Sequence, residues 1–472
     1  MTVSIPFDNT YVSLPDGFYT RHTADAASHP ELLAFNTQLA QDLGITGYDD
    51  TEALAQIFSG NLVPDGASPL AQAYAGHQFG SFNPRLGDGR ALLLGEVVAQ
   101  GQRFDIQLKG SGRTPYSRGG DGRAWLGPVL REFIVSEAMH ALGIPTTRAL
   151  AAVATGDTVY RERALPGAVL TRVAASHLRV GTFEYFAARR DYDNLRRLYE
   201  YAVDRHYPDA KNPTEFLTHV IERQIDLVSR WMGIGFIHGV MNTDNCHVGG
   251  ITIDYGPCAF MDGYSAQQVF SSIDQYGRYA FGAQGNIIMW NMAQLATSLV
   301  PLMPDQDDAI DTFTTLIHAM PDAFNAAWLR VFAAKIGISN PTETDRAMID
   351  DLLSLMENDR ADFTNTFYAL RLGSARDQFI NRDAYDAWHI RWRDRIKDLS
   401  DADAVMAQAN PWIIPRNHQI EAMITDAVAG NMGKFVHLAH GLAAPFTENP
   451  AFADLANPPT ADQVVHATFC GT

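Results

Sequence analysis

An amide oxygen and a carboxylate a short arc apart can share a hard metal ion, and HGVMNTDNCHVGGITIDYG (238–256) offers that pairing. Asn245 and Asp254 are separated by a stretch that reads as a β-turn-β unit, which would bring the two side chains together. Oxygen ligands of this kind suit Mg²⁺, which leaves coordination positions for phosphate oxygens. Asp244, beside Asn245, supplies a further carboxylate, and Gly256 permits a sharp backbone turn after Asp254. A lone DxG or HG is most often a polar loop between buried strands. The joint spacing argues instead for a metal–nucleotide site.

His238 and Asn245 stand seven apart, as do the His and Asn of the kinase catalytic loop HRDxxxxN, and Asp254-Tyr255-Gly256 falls where DFG belongs. The catalytic Asp of that loop belongs at position 240, which here is Val240. Valine can neither accept a proton nor orient a hydroxyl. Either the chain is a dead kinase, or Asp244 performs a different chemistry beside the same metal. A kinase-type site also holds the ATP phosphates with a strand lysine anchored by a helix carboxylate. Lys109 is that lysine, with Glu132 as the expected partner and Glu137 as the reserve on another face of the helix. Gly87-Asp88-Gly89-Arg90 and the loop GSGRTPYSRGGDGR (110–123) let backbone N–H groups approach phosphate, while Arg113, Arg118 and Arg123 supply bidentate charge. Arg172 and Arg179 bracket a joint between two parts of the chain. They serve either the nucleotide or ion pairs across that joint.

Several elements must position these groups. ALLLGEVV and RFDIQLK flank a turn at Gln100–Gly101 and predict a β-hairpin. In its second strand Phe104, Ile106 and Leu108 alternate with Asp105, Gln107 and Lys109, so Lys109 points away from the apolar face. A helix is expected from Pro128 to a stop at Gly143. Strand-like material follows over 146–173, with a turn at Thr155–Gly156–Asp157. A second helix is expected over Glu215–Met232, and a brief strand over GITIDYG. The layout is an α+β chain, a bilobal protein-kinase-like fold with a small β-rich N-lobe and a large helical C-lobe. Residues 1–85 read as an N-terminal extension of mixed helix and loop, 86–180 as the N-lobe, 181–300 as the C-lobe with the metal loop, and 301–472 as a helical extension ending in a cysteine-containing tail.

Composition agrees with a folded, globular chain. The chain has 472 residues, 46% hydrophobic and 19% charged, and about 100–200 residues per domain allows two to four units. Its formal charge of -18 repels polyphosphate at long range, which argues against a nucleic-acid binder and makes any local arginine cluster more telling. Three cysteines, Cys246, Cys258 and Cys470, are too few for a disulfide framework, and no CxxC pair suggests zinc. The N-terminus shows no targeting pattern, and no apolar run approaches the ~18–20 residues that span a bilayer. The expected setting is the cytoplasm, with no membrane partner.

AYAGHQFGSFNPRLGDGRALLLGE, LKGSGRTPYSRGGDGRAWLGPVLREFIVSEAMHALGIPTTRAL and HGVMNTDN…DYG together resemble the selenoprotein O, or YdiU, family over nearly the whole chain. The resemblance implies a pseudokinase fold that transfers AMP from ATP to Ser, Thr or Tyr hydroxyls of proteins, a nucleotidyltransferase of the EC 2.7.7 class. It also implies that ATP lies reversed relative to ordinary kinases, and that UMP transfer from UTP with Mn²⁺ is a further activity of bacterial members. Position by position, it implies nucleotide contacts from Gly87, Gly89, Arg90, Lys109, Asp121, Gly122, Arg172, Arg179 and Asp254, and a Lys109–Glu132 pair. It further implies Mg²⁺ or Mn²⁺ on Asn245 and Asp254, and Asp244 as the base. Cys470 stands where selenocysteine-containing members carry that residue, which implies a redox role. Two rival readings are a γ-phosphoryl kinase with a rearranged base and a nucleotide-binding pseudokinase scaffold.

Overall fold

The computed structural model describes residues 3–469. Its organising element is an eight-stranded antiparallel sheet. Seven strands run in the order Tyr19–Arg21, Leu70–Gln72, Ala91–Ala99, Gln102–Lys109, Ala164–Ala174, Arg148–Tyr160 and Glu31–Phe35, and the short strand Ala124–Trp125 joins Ala164–Ala174. Three of these strands come from the first 85 residues, which therefore build the sheet as well as cover it. The expected hairpin closes through Gln100 and Gly101 at φ 51° and 76°. Two positive φ values give the tight turn whose twist matches that of the strands.

The two faces of strand Gln102–Lys109 do different work. Ile106 and Leu108 join Leu39 of helix Thr37–Asp42 and Leu54, Ile57 and Phe58 of helix Thr51–Ser59 in one apolar layer. Asp105, Gln107 and Lys109 on the other face are also buried. The alternation thus assigns the faces correctly, but the polar face is interior. Glu96 lies directly opposite Asp105 in the ladder, a like-charge pair that would destabilise a sheet. Arg205 of helix Tyr192–His206 resolves it, pairing with Glu96 and with Asp105 at 2.6 Å.

Two local expectations are corrected. Thr155–Gly156–Asp157 is not a turn but a bulge inside one 13-residue strand, Arg148–Tyr160, where the three residues face Gly167 alone. The left-handed Gly156 (φ 76°) and a hydrogen bond from the His29 N–H to the Thr155 carbonyl absorb the extra residues. The brief strand expected over GITIDYG reduces to a single parallel bridge between Thr146 and Thr252. Asp254 takes φ 62°, a left-handed conformation that stops any strand there.

Helix Leu126–Ala141 keeps Pro128 in its first turn and ends as expected. Gly143 (φ 76°) donates its N–H to the His140 carbonyl, and the Ile144 N–H reaches Met139, satisfying the terminal carbonyls. This helix carries Glu132. It packs on strands Arg148–Tyr160 and Ala164–Ala174, and on helices Asn417–Val428 and Gly433–Leu442 near the other end of the chain. Phe133 meets Phe435 with ring centroids 5.5 Å apart, and Arg131 pairs with Glu421. The late helices therefore brace a helix that serves the site. From Val180 onward the chain is mainly helical, including the expected helix Pro213–Gly233, which Asn212 caps by accepting the Glu215 N–H. The whole is a mixed α and β fold. Among the described residues, no helix is long and apolar enough to cross a membrane.

One charge is buried far from the sheet. Lys335, at the end of helix Gln306–Lys335, donates to Asn410 Oδ1 at 3.0 Å and lies 4.4 Å from the centre of the Phe367 ring. Burial pushes its ammonium down to about 7, against roughly 10.4 in an unfolded chain. Between these values the unfolded chain binds the extra proton, so this group makes stability rise with pH. Below about 7 both states are charged and the full cost of burial is present. Lys335→Met is therefore expected to raise the melting temperature most near pH 6, with the gain shrinking toward pH 10. Melting curves of the two proteins that stay parallel across this range would refute the assignment.

Candidate nucleotide-binding active site

A cavity of about 450 Å³ gathers most of the nominated residues, with Arg113 and Glu132 outside its lining, a size within the ~300–1,000 Å³ typical of small-molecule sites. Its glycine-rich side is formed by Gly87, Gly89, Arg90, Asp121 and Gly122. Lys109 and Arg172 reach it from neighbouring strands, and Arg179 from the start of helix Val180–Arg189. The motif loop contributes Asp244, Asn245 and Asp254, with Val240 beside them. His238 stays outside. It is fully buried, stacked on Trp231, with Nε2 2.9 Å from the Ile253 carbonyl, one residue before Asp254.

Asp254 is the hub. Lys109 Nζ lies 2.9 Å and Arg172 Nη1 2.6 Å from its Oδ1, and Arg179 Nη2 lies 3.3 Å from Oδ2. Burial alone would raise its pKa, but Arg172, Lys109 and Arg179 together hold the carboxyl well below the usual range. Glu132 is the lysine's second partner, at 2.6 Å, and also faces Arg172 at 3.4 Å. Glu137 lies five residues on, about 140° around the helix. It binds Arg148 and the Ala149 N–H instead, which settles the choice between the two glutamates.

The cations are not all satisfied. Arg179 is 1% exposed, stacks over Tyr74 at 4.3 Å, and has no hydrogen-bond partner for Nε or Nη1. Nη1 forms only a long ion pair, 3.5 Å, with Asp88 Oδ1, which accepts no hydrogen bond. Buried donors are rarely left open without a purpose, and open guanidinium N–H groups facing a cavity suit an anion. On the other side, Asp244 accepts from Gln78 Nε2 at 3.1 Å, while its Oδ1 has no partner. Burial pushes this carboxyl up to about 6, against the pull of Gln78 and Arg179.

The Gly/Arg loop is tied down by a residue that sequence reasoning passed over. Arg161 grips Asp121 with two bonds, of 2.7 and 3.0 Å, and donates to the Arg123 carbonyl. Gly122 sits at φ 67°, where an added Cβ would lie 1.9 Å from the Gly112 carbonyl oxygen. Gly122→Ala must therefore open the loop. Calorimetry is expected to show ATP affinity falling about tenfold or more, with an unchanged circular dichroism spectrum. Asp88, Gln107 and Gln78 were also missed. Asp88 stands inside the flagged GDGR, and Gln107 on the polar face of the Lys109 strand, so both had a signal; Gln78 and Arg161 had none. Cys470 lies outside the described residues. Just before it, Thr468 donates to the Pro257 carbonyl at 2.5 Å, and Phe469 lines a small recess with Lys109 and Glu132.

Among the described residues, no three His, Cys, Asp or Glu side chains converge as a ready-made metal cage. The donors present are oxygens, those of Asn245, Asp254 and Asp244, whose Oδ1 accepts no hydrogen bond. They fit a divalent cation that brings phosphate oxygens with it, which is the usual Mg²⁺ arrangement.

Buried cations, a buried carboxylate and oxygen donors thus line one cleft, an arrangement that suits a polyanion. Comparison with known proteins agrees. The family model described as protein adenylyltransferase SelO matches residues 1–443. The protein nucleotidyltransferase YdiU of Ruegeria pomeroyi is 59% identical over 473 residues, covering 100% of both chains. Those of Roseobacter denitrificans and Bradyrhizobium diazoefficiens are 57% and 51% identical, again over 100% of each. The protein is an enzyme of the nucleotidyltransferase class. The chain belongs to the protein adenylyltransferase SelO family.

Proposed function

We propose that this enzyme transfers AMP from ATP to Ser, Thr or Tyr hydroxyls of protein substrates, using Mg²⁺ or Mn²⁺. The observation that carries the reading is the cationic cluster of Lys109, Arg172 and the partly unpaired Arg179, deep in a cavity that has Val240 where a kinase has its base. In this reading the sheet and the helical region act as the two lobes of a kinase-like fold, with residues 86–180 and 181–300 forming the cleft and 1–85 and 301–472 supporting it. The β- and γ-phosphates take up the buried cations, so the nucleotide lies reversed and the α-phosphate faces Asp244. Asn245 and Asp254 would hold the metal ion, which would withdraw charge from the phosphate oxygens. Glu132 holds Lys109 in place from the other side. Asp244 takes the proton of the incoming hydroxyl, and its carboxyl, lifted to about 6 by burial, suits a base at neutral pH. Arg172, Arg179 and Lys109 stabilise the leaving pyrophosphate. Gly87, Gly89 and Arg90, with Asp121 and Gly122, close over the nucleotide from the glycine-rich side.

The test is to incubate the enzyme and a protein acceptor with ATP labelled at the α- or the γ-phosphate. Label is expected on protein only from the α position, with release of pyrophosphate. Transfer from the γ position alone would establish a phosphoryl kinase, and no transfer from either would leave a nucleotide-binding scaffold. UTP with Mn²⁺ serves as the second donor, with UMP transfer as the expected result.

A further inference from the structure

A small hairpin, Gly76–Gln78 paired with Ser81–Asn83, grips the loop that carries Asp244. Phe79 and Gly80 turn it at φ 51° and 83°. Three successive hairpin residues bind three successive loop residues. The His77 N–H donates to Thr243 Oγ1 at 2.6 Å, Gln78 Nε2 to Asp244 Oδ2 at 3.1 Å, and the Phe79 N–H to Asn242 Oδ1 at 3.1 Å. Behind them the Thr243 hydroxyl donates to Glu184 Oε2 at 2.5 Å, and His77 Nδ1 meets Glu184 Oε1 at 2.5 Å. The hairpin leaves no room for a side chain between Gly76 and the carboxylate. A Cβ on Gly76 would stand 2.8 Å from Asp244 Oδ1.

These contacts make the two oxygens of Asp244 unequal. Oδ1 is buried against Gly76 and accepts no hydrogen bond. Oδ2 is pinned by an amide whose own side chain lines the nucleotide cavity. We propose that Gln78 is a positioning residue for nucleotidyl transfer, its amide fixing the plane of the Asp244 carboxylate so that Oδ2 meets the acceptor hydroxyl. This rests on the reading of Asp244 as the base. In the step it serves, the hydroxyl proton passes to Oδ2, the hydroxyl oxygen bonds to the α-phosphorus, and the bond from that phosphorus to pyrophosphate breaks. Pyrophosphate leaves with the electron pair. A third group that orients the base is a recurring device in proton-transfer sites.

The experiment compares Gln78→Ala and Gln78→Glu, each alone and combined with Asp244→Asn, by kcat, KM for ATP and equilibrium ATP affinity. Gln78→Ala is expected to lower kcat about 10- to 100-fold, the scale of a small misplacement of a reacting group, with KM for ATP and ATP affinity within about twofold. Gln78→Glu keeps the size but loses the N–H and sets a carboxylate against a carboxylate. It is expected to lose at least as much kcat as the alanine variant. In the Asp244→Asn background neither change should cost more. Equal losses in both backgrounds, or a Gln78→Ala kcat within twofold of the parent, would overturn the proposal. Full activity in Asp244→Asn alone would instead remove the base reading, and with it the step Gln78 is proposed to serve.

Discussion

Asp254→Ala is expected to abolish nucleotide transfer while leaving ATP binding in EDTA intact or several-fold tighter. The first half follows from its proposed place at the metal, whose loss removes several kcal/mol of transition-state stabilisation, about 10³-fold or more in rate. The second half follows from the hub geometry. Lys109, Arg172 and Arg179 all lean on Asp254, so a polyphosphate has to compete with that carboxylate for them. With the carboxylate gone the three cations are free to bind phosphate. The same variant without nucleotide should be less stable, because truncating one partner of a buried charge network leaves the others uncompensated. The usual cost is about 3–5 kcal/mol, and the lower end applies because the Asp254 side chain is 20% exposed. Melting with and without ATP, alongside a transfer assay, checks all three effects. Transfer within tenfold of the parent, or loss of metal-free ATP binding, would overturn the assignment.

Asp244→Asn should behave in the opposite way. Transfer is expected to fall about 10²- to 10⁴-fold, the contribution of a positioned general base, yet ATP affinity should hold, because Asp244 pairs with Gln78 and with none of the three cations. The protein should also become more stable at neutral pH. Burial raises the carboxyl to about 6, from roughly 3.9 in an unfolded chain. Between these values the folded protein holds a proton that the unfolded chain has lost, so stability falls as pH rises from about 4 to 6. Asparagine carries no such cost, and relief of about 2–3 kcal/mol is the scale of that shift. Its advantage in melting temperature should grow from pH 4 to pH 7. A variant that is destabilised, or that loses ATP, would mean Asp244 holds the site together rather than acting in it.

What sequence reasoning could see depended on how local each signal was. Alternation along Gln102–Lys109 separated the faces of that strand, and the helix after it offered two glutamates, of which packing chose Glu132. The motif spacing brought Asn245 and Asp254 into one cavity because only a short loop separates them. Contacts between distant segments had no such trace. Gln78 and Asp244 are 166 residues apart, and nothing in GHQFG declares that its glutamine faces a carboxylate. The five strands before residue 85 are three to five residues long, too short for a period of two to stand out. Thr155–Gly156–Asp157 has turn chemistry whether it reverses the chain or bulges it, and the ladder on either side decided which. GITIDYG has the β-branched residues of a strand, but the left-handed Asp254 breaks it.

Because three cations share Asp254, none of these four positions can drift alone. Loss of the carboxylate strands buried positive charge on the other three, and loss of a cation shifts the balance that the rest must hold. The cluster is therefore expected to be inherited as a unit. A descendant that gave up nucleotide transfer would be expected to erode Lys109, Arg172, Arg179 and Asp254 together, rather than to lose them one by one.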